Sequence, residues 1–364
     1  MQLRDLTNHI EAFAPLSLQE DYDNSGLIIG RPESEVNGAL LCIDVTEPVI
    51  KEAIDRGCDM IIAHHPLIFK GIRQITGRNA TERMVEMAIL NKIAIYAAHT
   101  NLDNAADGVN AMLSQKIGLQ NCKVLKPAQG ILRKLVTFCP TDYANAVRNA
   151  LFEAGAGHIG NYDNCSFNTN GTGSFRALEH ANPFTGELNK LHFENEIRIE
   201  TIFPAYKQNS IIQALLDVHP YEEVAYDIYG LENNFKGAGA GMIGELQQAT
   251  DEQEFLLNIK QLIGGSTIRH TALTGRKIIK VALCGGSGSF LIDTAISAGA
   301  DIFLSGDIKY HDFFVPEAQI LLADIGHYES EQFTKELLFT LLTKKFPNFA
   351  IFISDTPTNP IIYL

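Results

Sequence analysis

Leu3, Leu6, Ile10 and Phe13 recur at helical spacing ahead of Pro15, so the chain opens on an amphipathic helix. Beyond it, short apolar runs alternate with helix-like stretches. Residues 39–43 and 60–63 are runs of strand length, separated by a helical pattern over 48–56 that stops at Gly57. Residues 93–98 form a third such run, preceded by a helical pattern over 80–90. This alternation predicts βαβ units around a largely parallel sheet.

The pattern repeats. Sliding residues 39–65 onto 281–307 without a gap places Cys42 on Cys284, Gly57 on Gly299 and Asp59 on Asp301. Strand falls on strand, helix on helix, and the helix-ending glycines on each other. The next strands correspond as well: 93–98 leads into His99 and Asp103, and 320–323 into Asp324 and His327. The expected fold is α/β, with two related halves from an internal duplication forming one core.

The middle of the chain reads differently. Residues 134–138 and 192–203 look like strands, 143–154 and 210–218 like helices, and 155–174, rich in Gly and Asn, like a turn-laden loop. Four glycines within 237–244 suggest a hinge returning the chain to the second half. The predicted organisation is a first half-core at 1–124, an inserted α+β domain at 125–245, and a second half-core at 246–364.

Length and composition agree with this division. At 364 residues, two or three compact units are expected, and no stretch approaches the ~18 uncharged apolar residues of a membrane span. Polar residues interrupt the apolar ones in Met1-Gln2-Leu3-Arg4-Asp5-Leu6, so no secretory signal is read there and a cytoplasmic protein is expected. Six scattered cysteines without a C-x-x-C pair fit buried thiols in a reducing compartment. A net charge of -14 argues against nucleic-acid binding and makes divalent cations natural partners.

Candidate chemistry lies at predicted strand ends, where α/β sheets gather functional groups. Met60-Ile61-Ile62-Ala63 runs into His64-His65-Pro66, and near the other end stands Gly326-His327-Tyr328-Glu329-Ser330-Glu331. A single histidine is more often a packed residue than a ligand. Asp103 alone reads as a turn or helix-cap residue, and His327 with Glu331, at i and i+4, as a charged helix start. Their coincidence at corresponding strand ends favours a metal site. Imidazole and carboxylate without thiolate suit Zn(II), Fe(II), Mn(II) or Co(II). Three histidines and two carboxylates exceed what one tetrahedral ion needs, so two ions ~3.5–4 Å apart are expected, bridged by Glu331 or Asp103. Hydrolysis is the favoured reaction class. The glycine-rich stretch 284–289 reads either as a phosphate cradle or as a tight strand-to-helix turn, without the Lys of a P-loop. His219-Pro220-Tyr221-Glu222-Glu223 reads as a structural turn.

Several motifs together resemble one known family: Tyr22-Asp23-Asn24-Ser25-Gly26-Leu27, Ala63-His64-His65-Pro66-Leu67, His99-Thr100-Asn101-Leu102-Asp103, Ser305-Gly306-Asp307-Ile308-Lys309-Tyr310-His311, and 326–331. Nearly the whole chain is similar to the GTP cyclohydrolase 1 type 2 homologue, or Nif-three-like, family. The resemblance implies a toroidal homohexamer with two divalent ions per subunit facing an internal cavity, zinc first, iron or manganese as alternatives. It carries over His64, His65, Asp103, His327 and Glu331 as metal ligands, with His99, Asp44 and His311 nearby. His99 and Glu329 become the candidates for catalytic proton transfer. The insert, with 157–162 and 219–223, resembles the ferredoxin-like modules of PII and CutA. The implied function is water attack on a purine nucleotide such as GTP, with release of formate. The competing expectation is a metal-handling or regulatory protein whose insert senses a ligand or partner. No basic cluster accompanies the metal motifs, the nearest cations being Lys70, Arg73, Arg78 and Lys309.

Overall fold

A computed structural model describes residues 1–264 and 267–362. The chain forms two compact units, one built from 1–127 and 237–364, the other from 128–236.

The first unit holds two sheets. One has the order Gly26–Ile29, Ala94–Ala97, Met60–Ala63, Gly38–Cys42, Ala350–Ile353, and its last four strands run parallel. The other has the order Arg269–His270, Leu321–Asp324, Ile302–Gly306, Lys277–Ser287, Phe235–Asp251, Gln120–Ala128, with a parallel centre of 277–287, 302–306 and 321–324. Parallel strands need both faces covered, which is why they read as unbroken apolar runs. Ala39, Leu41, Met60 and Ile62 enter one core with Leu3, Leu6 and Ile10 of the first helix, Leu3–Phe13. Leu40, Ile61, Ala63 and Ile95 enter another on the opposite face, with Val49, Ile50 and Ala53. That second group lies on helix Glu47–Asp55, where Thr46 caps the start by accepting from Val49 N at 3.3 Å and left-handed Gly57 follows the end.

Over three successive pairs the two sheets share one pairing register. Ala39 pairs with Met60 and Leu40 with Ile61 in the first; in the second, Val281 pairs with Ile302 and Ala282 with Phe303. These are the positions that the internal alignment superimposes.

The second unit is a four-stranded antiparallel sheet, order Ser166–Arg176, Leu191–Pro204, Leu132–Pro140, Tyr226–Gly230. Helices Ala144–Glu153 and Gln208–Val218 supply Val147, Leu151, Ile211 and Leu215 to a core with Leu135, Ile199 and Phe203.

Two expectations are corrected. Residues 166–174, read as part of a loop over 155–174, lie in an eleven-residue strand, Ser166–Arg176, paired in register with 191–201. Its side chains are largely exposed, so the backbone ladder carries the strand and no apolar alternation reveals it. The glycines of 237–244 are not a hinge but lie inside strand Phe235–Asp251. A Cβ at Gly241 would come within 2.8 Å of Leu283 O, and one at Gly244 within 2.7 Å of Cys122 Sγ, so both glycines permit close strand approach. All six cysteines are free thiols; four are buried, but Cys122 is exposed. Among the described residues no helix is long and apolar enough to cross a membrane.

Candidate metal centre

The carboxyl ends of the parallel strands in the first unit deliver the site. Met60–Ala63 ends at His64 and His65, Gly38–Cys42 runs on to Asp44, and Ala94–Ala97 leads through His99 into the short helix Thr100–Asp103. From the other sheet, Ile302–Gly306 ends at Asp307, and Leu321–Asp324 leads into helix His327–Glu331.

Glu331 is the hub. One carboxylate oxygen lies 3.1 Å from Nε2 of both His65 and His327, and the other 3.6 Å from Nε2 of His64. Asp103 lies 3.6 Å from the same His64 nitrogen. Two ligand groups therefore share Glu331, namely His65 with His327 and His64 with Asp103.

Glycine makes the hub possible. A Cβ on Gly286, at φ +63°, would sit 2.2 Å from Glu331 Oε1, and one on Gly306 would meet the His327 backbone at 2.7 Å. The amides of the same stretch are already used: Gly285 N donates to Asn110 Oδ1 at 2.8 Å, Gly286 N to Ser330 Oγ and Gly288 N to Ser305 Oγ, both at 2.9 Å. Three amides of 284–289 are thus engaged within the protein, as a tight strand-to-helix turn requires.

Each imidazole is aimed by an acceptor on Nδ1. His64 donates to Ala98 O at 2.8 Å, His65 to Asp44 at 2.8 Å, and His327 to Asp307 at 2.7 Å. A carbonyl or carboxylate can only accept, so Nδ1 carries the proton and a neutral ring presents Nε2 as a lone pair. Nε2 of His65 and of His327 stand 3.3 Å apart. Two facing lone pairs at that distance call for a cation. The buried atoms His64 Nε2, Asp103 Oδ1 and Glu331 Oε2 lack hydrogen-bond partners, a costly arrangement unless an ion satisfies them. The donor set thus fits divalent metal.

Proton affinities tell the same story in the metal-free protein. Burial pulls His65 and His327 down, but the adjoining carboxylates, Asp44 and Glu331 for His65, Glu331 and Asp307 for His327, outweigh it and carry them up to about 10 and about 9. Burial pushes Asp103 up to about 7, with Glu331 adding repulsion and His64 countering it. Burial also acts on Glu331, yet the surrounding imidazoles hold it well below the usual carboxylate range. Protons occupy the place of cations.

The cavity over these groups has a volume of about 540 Å³ and is walled by His65, His99, Asp103, His327 and Glu331, together with Phe69 and Phe290. No Lys or Arg lines it among the described residues. The second unit has a larger cavity of about 700 Å³, mainly apolar, lined by Phe175, Phe184 and Tyr221.

A profile of the Duf34/NIF3 (NGG1p interacting factor 3) family matches residues 1–360. The chain belongs to that family. A GTP cyclohydrolase 1 type 2 homolog of Bacillus subtilis is 39% identical over 363 residues, covering 97% of this chain and 96% of the relative. One from Staphylococcus aureus is 34% identical over 369 residues, covering 100% of both. Among solved structures, a Bacillus cereus protein related to NIF3 superposes with a TM-score of 0.86 at 38% identity, covering 100% of this chain and 99% of the other. A Staphylococcus aureus protein gives 0.79 at 30% identity with the same coverage.

In this NIF3 chain the five residues expected as ligands lie close together, and Asp44, expected nearby, accepts from His65 Nδ1. His99 joins them, with a ring nitrogen within 4.8 Å of nitrogens of His64 and His65. Glu329 does not line the cavity: its carboxylate accepts from Asn359 Nδ2 at 3.0 Å and lies over Gly326. His311 is exposed, packed on Tyr310, and outside the cavity wall. His219 is a turn residue, as read, accepting from Tyr221 N and bonded to Phe138 O. Asp307, which accepts from His327 Nδ1 at 2.7 Å, was not among the expected site residues; its backbone is left-handed, φ 54°. Thr358, which donates to Asp44 at 2.8 Å, carries no sequence signal at all.

Proposed function

We propose that this NIF3 protein is a metal-dependent hydrolase with two divalent ions per chain, one held by His65, His327 and Glu331, the other by His64, Asp103 and Glu331. The observation that carries this reading is the pair of Nε2 atoms 3.3 Å apart above a buried carboxylate shared by both groups. Zinc is the first choice for a nitrogen and oxygen donor set of this size, with iron and manganese next. Such ions lower the pKa of water toward ~7 and polarise an electrophile. The chain's own residues do the rest. Phe69 and Phe290 in the cavity wall offer apolar surface to a bound substrate. His99, whose Nδ1 bonds to Asp23, is placed to accept a proton at Nε2 and return it to the leaving group.

The relatives' name directs the choice of substrate toward a purine nucleotide such as GTP, opened by water with release of formate. The cavity volume suits a nucleoside. The test is formate release from GTP by protein reconstituted with zinc or manganese. Dependence on added metal and loss in the His64→Ala, His65→Ala double variant support the reading; equal turnover in that variant refutes it.

A second reading is favoured by the absence of Lys and Arg from the cavity wall among the described residues, where a triphosphate would call for cations. In it, the protein stores or delivers ions and the insert senses a ligand. Readily exchanged metal with no turnover across a nucleotide and phosphoester panel supports it. To the same proposal belong a cytoplasmic homohexameric ring, a duplicated origin of the two sheets, and a PII- and CutA-like ancestry of the insert. Mass measurement in solution tests the ring.

A further inference from the structure

Four imidazoles, not three, have Nδ1 fixed by an acceptor at this centre. Nε2 of His64, His65 and His327 each lies within 3.6 Å of Glu331. His99 differs. Its contact to a carboxylate is on Nδ1, 2.7 Å from Asp23, and its ring faces the cavity beside His64 and His65.

Asp23 is built for this contact. Its side chain is wholly buried, and besides His99 it accepts from Ser25 Oγ at 2.6 Å, Asn24 N at 2.6 Å, Thr100 N at 3.1 Å and the Thr100 hydroxyl. The segment that brings it is fixed in turn. Ser25 N donates to Gln19 Oε1 at 3.0 Å, Glu20 N to Thr100 Oγ1 at 2.9 Å, and Asn24 Nδ2 to Ile68 O at 2.7 Å. Burial works against the charge of Asp23, but its donors hold the carboxyl well below the usual range, so it remains an acceptor.

We propose that Asp23 is a positioning residue: it locks His99 in the Nδ1–H form, so that Nε2 faces the cavity as a hydrogen-bond acceptor for the attacking water or a substrate hydroxyl and is not a metal ligand. This rests on the hydrolase reading above, and it assigns Asp23 a part in that site. A carboxylate behind an imidazole selects one tautomer, and replacing it by an amide permits the other, which turns an N–H toward the substrate.

The experiment is diethyl pyrocarbonate footprinting with peptide mass spectrometry on full-length protein, zinc-loaded and zinc-free, with zinc counted per chain. The reagent acylates an imidazole nitrogen that bears a lone pair. In loaded wild type, His99 should be modified while His64, His65 and His327 are protected. Asp23→Asn should keep its zinc and slow modification of His99 by about tenfold, roughly the population shift of a 1.4 kcal/mol tautomer preference. His99→Gln should keep both ions. His99 protected with the other three, an unchanged rate in Asp23→Asn, or loss of an ion in His99→Gln each overturns the proposal. Wild type without zinc would count against the metal centre instead, and the comparison of Asp23→Asn with wild type in zinc-free protein would still decide the role of Asp23.

Discussion

Glu331 Oε2 lies 3.1 Å from Nε2 of His65, a contact between residues from opposite ends of the chain. The same oxygen is 3.1 Å from His327, one helical turn away on its own short helix. Glu331 is therefore the one ligand common to both candidate ions, and the ligands should fail unequally when replaced.

Glu331→Gln is expected to lose both ions, whereas Asp103→Asn and His327→Ala should each lose one. Titration with zinc against a chromogenic chelator reads the stoichiometry directly. Equal loss in all three variants would mean a single ion, held by the whole set.

Gly286→Ala should mimic Glu331→Gln. The added methyl would stand 2.2 Å from Glu331 Oε1 on a backbone at φ +63°, so the carboxylate must leave. The strain costs on the order of 1 kcal/mol, which the fold survives while metal binding does not. Circular dichroism alongside the zinc count separates the two effects. A variant that is folded and fully loaded would show that Glu331 need not occupy this place.

The pH dependence has opposite signs without and with metal. His65 and His327 are raised from 6.5 to about 10 and about 9, so their contacts with Glu331 stabilise the metal-free fold fully below pH 6.5. That contribution is lost as pH rises through 9 to 10. Metal needs both rings neutral, so its binding releases protons and strengthens over the same interval. The increase in melting temperature caused by zinc should therefore grow from pH 6 to pH 9. A constant or shrinking increase would contradict the ligand assignment.

The C-terminal segment belongs to the site. Ser354 and Thr356 hydroxyls donate to Glu52 at 2.6 Å, and Asp355 N donates to it at 3.0 Å, which brings Thr358 to Asp44 behind His65. Asp44→Asn should weaken the His65 ion by about 10- to 100-fold. Thr358→Val, removing one hydrogen bond, should weaken it by about fivefold, or 1 kcal/mol. Calorimetry on the two variants measures both.

The ligands were legible because they follow apolar strands in short, distinctive motifs, and because 39–65 and 281–307 align. Their pairing registers then agree over three successive pairs, as Ala39 with Met60 and Val281 with Ile302 illustrate, before the second sheet shifts beyond Leu283. What holds His99 and the ligands in place was not legible. Asp23, Asp307 and Thr358 act from loops whose partners lie far along the chain, and an aspartate in a turn looks the same whether or not an imidazole awaits it. Strand 166–176 escaped for another reason: with most side chains in solvent, pairing with 191–201 leaves no periodic trace.

The most direct test of the account is the metal content of the wild-type chain, purified without a chelating tag under anaerobic conditions, beside Glu331→Gln. Two divalent ions per wild-type chain and none in the variant are the predicted result. A wild-type chain that binds no ion at saturating zinc, or a variant that retains two, would contradict it.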